Sequence, residues 1–131
     1  MMLDDHLRGT DALVALDDAY AAAWAIRDRS LLELCARRMA MLRRHEPTLA
    51  AMTPAEQRAL ASWPTDVHLD DVGRAALAFT EQWIVDVASL SDEQADALCS
   101  VLGDQRFADF VTALLIVEQR MSLELFLDRV L

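Results

Sequence analysis

Leu13, Leu16, Tyr20 and Trp24 follow one another at intervals of three and four residues, a spacing that aligns side chains on a helix and scatters them on a strand. The same period recurs along the chain, broken by helix-start signals. A first helix is predicted from about Thr10 to Arg27, with that stripe facing the core rather than forming a binding surface. Ser30 followed by Glu33 reads as a capping box, so a second helix is predicted to begin there and reach about Arg44, burying Leu32, Cys35, Met39 and Leu42. Thr53-Pro54-Ala55-Glu56 combines an N-cap, a proline at the first helical position and a capping glutamate; it opens a short helix ending near Trp63, where Pro64 enforces a break. Further helices are predicted from Asp71 to Ser89, packing through Ala75, Leu77, Ala78, Trp83, Ile84 and Val87, and from Ser91 to Gly103, with Gln94 completing its capping box and Gly103 at its C-terminal stop. The last runs from Asp104 to Val130, with Phe107, Phe110, Val111, Leu114 and Leu115 as its stripe and a kink near Ser122.

Composition agrees with that pattern. Glycine and proline number three each in 131 residues, and helix formers outweigh Val, Ile, Thr and Tyr. The reading is an all-α, compact bundle of about six helices forming one domain over residues 1–131, since no linker or low-complexity tract divides it. A formal charge of −10 speaks against nucleic acid or an anionic membrane as partner. All twelve basic residues are arginine, which removes Schiff-base and lysine-base chemistry. Met1 to Thr10 carries Asp4, Asp5 and Arg8 with no apolar stretch, so no signal peptide is expected, and uncharged runs such as Phe110 to Val117 are far shorter than a membrane span. A cytoplasmic location is expected. The two cysteines, Cys35 and Cys99, read as small buried hydrophobes, and the histidines at 6, 45 and 68 provide no metal-ligand spacing. No glycine-rich phosphate loop supports a nucleotide, so no cofactor is expected.

Four segments, in order, resemble the carboxymuconolactone decarboxylase and alkylhydroperoxidase D family: Ser30 to Leu42, Gly73 to Asp86, Leu90 to Gly103 and Phe107 to Met121. Glu33 falls on the family glutamate, Arg38 on its common arginine, and Glu81 on a position often acidic there. The resemblance implies an alkylhydroperoxidase D-like helical fold, a small-molecule substrate or ligand, and a homo-oligomer, a trimer or a hexamer of trimers. It also implies a site, where the chain departs from the family. Counting from Glu33, the positions of the peroxidase Cys-x-x-Cys-x-x-x-His motif hold His45, Thr48 and Met52. Paired thiols attack a peroxide and resolve the sulfenic acid, so their substitution removes that route. The segment Glu118-Gln119-Arg120-Met121 also stands where the family favours an aromatic followed by Asn and Met.

The catalytic candidates are therefore Glu33, His45 and Glu81, with Arg38, Thr48 and Met52 as substrate-binding candidates. Each has a plainer reading. Glu33 is also the capping residue of its helix and stands four residues before Arg37; His45 reads as an exposed histidine at a helix C-terminus; Glu81 reads as an ion-paired glutamate; His68 serves as part of a cap; Trp63 and Trp83 are core or interface residues. Three functions compete: a cofactor-free lyase, isomerase or cyclase working by acid-base chemistry, a non-catalytic ligand-binding or assembly subunit, and a thiol peroxidase, which the missing cysteines place last.

Overall fold

The computed structural model describes residues 7–130; Asp4, Asp5 and His6 lie outside them. Among the described residues seven α-helices are laid out in full: α1 (Asp11–Trp24), α2 (Arg29–Arg43), α3 (Glu46–Ala50), α4 (Pro54–Ala61), α5 (Asp71–Asp86), α6 (Asp92–Leu102) and α7 (Asp104–Val130). Single 3₁₀ turns, Trp63–Thr65 and Val87–Ser89, follow α4 and α5, and there is no strand among the described residues. The all-α expectation holds. None of the described helices is long and apolar enough to cross a membrane.

The bundle is arranged around α2 and α7, which pack on each other; α1 lies along α7, α5 lies against α2, and α6 bridges α5 and α7. Leu32, Cys35 and Met39 of α2, Leu77 of α5, Leu98 of α6, and Phe110 and Leu114 of α7 are all completely buried. Boundaries follow local chemistry. Thr10 caps α1 by accepting from the Leu13 N–H at 3.1 Å, and both capping boxes are complete, Thr53 with Glu56 and Ser91 with Gln94. Gly103 ends α6 at φ 83°, where a side chain would be strained, and its N–H reaches the Cys99 carbonyl at 2.7 Å.

Several expectations are corrected. Residue Ser30 does not open α2; Asp28 stands at the N-cap, and Glu33 turns to Arg37. The stop comes at Arg44, a non-glycine residue at φ 58°, which costs roughly 1 kcal/mol relative to right-handed backbone. That turn sends His45 back beneath the bundle and starts α3, a helix too short to show a period in sequence. Both Val87 and Leu115 are exposed rather than packed, Val87 because the chain has left α5 for its 3₁₀ turn. The last helix is present as read: α7 runs through Ser122 to Val130, with the Ser122 hydroxyl donating to Glu118 at 2.6 Å. His68 is exposed and caps nothing with its ring; the Asp70 carboxylate caps α5 by accepting from Gly73 N–H.

Two arginines fix loops that helix packing leaves loose. The Arg74 guanidinium donates to the carbonyls of Pro64, Asp66 and Leu69, closing the connection into α5. Arg106 forks onto Asp28 through both terminal oxygens, tying the start of α2 to α7. That hydrogen bonding holds the Asp28 carboxyl below its ordinary 3.8, against the opposing effect of burial. A depressed folded pKa means that the stabilisation is present above 3.8 and is lost as pH falls through the lower folded value. The urea midpoint should therefore fall as pH is taken below about 4, and Asp28→Asn, measured by the same titration, should flatten part of that slope. An unchanged slope in the variant would remove Asp28 as a contributor.

Thr80 presents the opposite situation. Its side chain is fully buried on α5 and its hydroxyl makes no hydrogen bond of ordinary geometry. The Cys35 thiol interacts with it, but a thiol is a weak partner. Thr80→Val should raise stability by about 1 kcal/mol, because the penalty of an unsatisfied buried hydroxyl disappears. Chemical denaturation showing the variant less stable than the parent would mean that the hydroxyl is well satisfied.

Candidate functional site

His45 is 7% exposed, and both of its ring nitrogens are engaged. Nδ1 lies 2.8 Å from Thr48 Oγ1, one turn along the chain, and Nε2 lies 3.1 Å from Glu124 Oε2 on α7. In the tautomer that donates from Nε2 to Glu124, the neutral ring leaves Nδ1 to accept from the Thr48 hydroxyl. Glu124 is itself 8% exposed, and its other oxygen lies 3.4 Å from Arg120 Nε. Arg120 extends the chain to α1, binding Asp17 at 3.1 Å and lying 4.4 Å over the ring of Tyr20. One polar line, buried at His45 and Glu124 and open to solvent at Asp17, thus joins α3, α7 and α1 through Thr48, His45, Glu124, Arg120 and Asp17.

Thr48 reaches a cavity of about 480 Å³ among α1, α2, α3 and α7. Ala36, Val117 and Met121 form apolar wall, Tyr20 and Trp24 line it from α1, and Arg29, Glu33 and Arg37 line it from α2. The two aromatic rings meet edge to face, 6.1 Å between centroids. They were expected in the core; both are half-buried and pack against it, and their other sides line the cavity. His45 is corrected too: it is an interior residue, because the left-handed turn at Arg44 directs it inward.

The other candidates separate. Glu33 lies on the cavity wall, but its side chain is 51% exposed and pairs with Arg37 at 2.9 Å, and Arg37 also holds Glu56 at 3.2 Å. Glu81 and Arg38 form a second node, with no part in this cavity's wall. Arg38 Nε lies 3.1 Å from Glu81 Oε2, and the Trp63 indole N–H donates to the same oxygen at 2.7 Å. Burial works to raise the Glu81 pKa, but the hydrogen bonds from Arg38 and Trp63 and the charge of Arg38 outweigh it, leaving the carboxyl below its ordinary 4.5. A carboxylate so neutralised is a poor base. Met52 is buried and lines a separate hollow of about 210 Å³ beside Trp63 and Leu60.

Neither thiol is acidic. Burial pushes the Cys35 thiol up to about 12, with the Thr80 hydroxyl pulling the other way, and Cys99 is raised by its hydrogen bond to Asp104 at 3.3 Å. Both are free cysteines. Among the described residues no group of three or more His, Cys, Asp or Glu is gathered as metal ligands.

Glu124 and Arg120 were missed in sequence, though a signal existed: Glu124 continues the buried line Leu114, Val117, Met121 at steps of three and four, a lone carboxylate on an apolar stripe. No protein-family model matches the chain, and a search of curated proteins returns no match.

Proposed function

We propose that this chain is a divergent carboxymuconolactone decarboxylase-like protein that holds a small organic molecule in the cavity among α1, α2, α3 and α7 and exchanges a proton with it through Thr48. His45 is the base and acid behind that hydroxyl, and Glu124 fixes the ring and balances its charge when protonated. The observation that carries the reading is the line from Thr48 to His45 to Glu124, at 2.8 and 3.1 Å, with Thr48 among the residues that line the cavity. His45 has no nitrogen left to face a ligand directly, so a proton reaches it by the Thr48 oxygen. The likeness to the family rests on the four sequence segments and their order.

The test is solvent exchange. Purified protein in deuterated water should catalyse deuterium incorporation beside the carbonyl of members of a panel of small ketones and lactones, followed by proton NMR, and Thr48→Val and His45→Gln should both abolish it. Exchange retained in both variants would sink the assignment. A second reading, binding without turnover, is favoured by the pairing of Glu33 and of Glu81 with arginines; it predicts saturable binding with no exchange. In neither reading does a thiol peroxidase have support, given two thiols raised above their ordinary pKa.

Self-association as a trimer or hexamer belongs to the same proposal. Exposed apolar side chains such as Val14, Val85 and Phe126, each more than half exposed, supply surface that a symmetric assembly buries. Light scattering should give a multiple of 14.6 kDa, and the monomer mass would remove this part of the proposal.

A further inference from the structure

We infer that the ligand of the α1–α2–α7 cavity is a flat organic monoanion, its carboxylate held by Arg29 and its apolar body set against Trp24 and Met121. The inference rests on the reading of this cavity as a small-molecule site and adds the ligand's charge and shape.

Charge is the first reason. The chain as a whole carries −10, yet the cavity wall presents two guanidinium groups, Arg29 and Arg37, and one carboxylate, Glu33. Glu33 stands four residues from each arginine and has chosen Arg37, at 2.9 Å. That is the orientation a helix favours, acid before base. Arg37 is further held by Glu56 at 3.2 Å. Arg29 has no carboxylate partner among the described residues, and it stands in the first turn of α2, where the macrodipole disfavours a cation. Helix stability does not explain it. A planar, bidentate donor of this kind matches a carboxylate.

Shape is the second reason. The Arg29 guanidinium lies 5.9 Å from the centre of the Trp24 ring, so its position is tied to the aromatic wall rather than swept through solvent. Trp24 and Tyr20 meet edge to face, their planes 73° apart, so the wall is an aromatic corner, and Met121, 5% exposed, lines the same space with an adaptable thioether. A conjugated or aromatic body fits between these groups, and its acid group then points to Arg29, while Thr48 lies on the same wall.

The test uses matched probes, 2-naphthoate and its uncharged amide 2-naphthamide, titrated calorimetrically into the full chain. Occupancy of the cavity is read from the Trp24 indole N–H resonance, identified by its disappearance in Trp24→Phe. Naphthoate should bind about tenfold more tightly than the amide, as a charge-assisted hydrogen bond implies. Arg29→Gln should bring the two affinities together, without loss of the helical spectrum, and raising salt should weaken only the acid. Equal affinities in the parent, or a preference unchanged by Arg29→Gln, would overturn the inference while leaving the cavity as a binding site. If neither probe moves the Trp24 resonance, the reading of the cavity itself fails.

Discussion

Replacing Glu124 with alanine should destabilise the protein by about 3 kcal/mol, because it strands two polar partners in the interior. His45 Nε2 loses its partner at 3.1 Å, and Arg120, with a side chain 16% exposed, loses the carboxylate at 3.4 Å and keeps Asp17, itself half exposed, and the face of Tyr20. Water cannot easily take the vacated place, since His45 is 7% exposed and α7 covers it. For a chain of this length the loss corresponds to a fall in melting temperature of roughly 10 °C. Glu124→Gln preserves shape and one acceptor oxygen for the imidazole, and removes the charge facing Arg120; about 1 kcal/mol is expected. Urea denaturation followed by circular dichroism at 222 nm reads both. A Glu124→Ala variant within about 0.5 kcal/mol of the parent, the range of ordinary surface changes, would show that the polar line contributes nothing to the fold. Combining Glu124→Ala with His45→Gln should cost less than the sum of the two, since the partners share one interaction.

That line of residues also marks where sequence reasoning stops. The helices were legible because their signals are local: Thr53 with Glu56 and Ser91 with Gln94 satisfy their own orphan N–H groups within four residues, and both boxes are present as read. Ser30 with Glu33 has the same spelling and does not cap, because Arg106, 78 residues from Asp28, anchors the helix start two residues earlier and Arg37 competes for Glu33. His45 was legible as a candidate but not as a buried residue, since its direction is set by the left-handed turn at Arg44, a conformation that arginine does not announce. Tyr20 and Trp24 share the helical period of any core stripe; only the placement of α1 on α7 decides whether that stripe meets side chains or a cavity. Glu81 and Arg38 were read as parts of one site with Glu33, but α2 presents Arg38 and Glu33 in different directions: Arg38 meets α5, and Glu33 faces the cavity with Arg37.

Phe110→Ala should have the largest effect of any single truncation considered, about 4 kcal/mol, the sum of lost transfer energy and an unfilled cavity. Phe110 is completely buried on α7, the helix that touches α1, α2 and α6. The upper part of the range for Phe→Ala applies because α7 has little freedom to collapse into the void: Arg106 pins it to Asp28 near one end, and Glu124 with Arg120 pins it to His45 and Asp17 near the other. Phe110→Leu, which keeps most of the volume, should cost about 1 to 1.5 kcal/mol. Denaturant midpoints for the pair separate a cavity effect from a general loss of fold; an alanine variant costing less than about 2 kcal/mol would mean that the helix does shift to fill the space. Phe110 and Glu124 are fourteen residues apart, about 21 Å along a continuous helix, too far to share partners, so their effects should add. The alanine pair would then lose about 7 kcal/mol, comparable to the whole stability of a marginal domain. The milder pair, Phe110→Leu with Glu124→Gln, remains measurable, and a deviation from additivity greater than about 0.5 kcal/mol would show that core and polar line are coupled along α7.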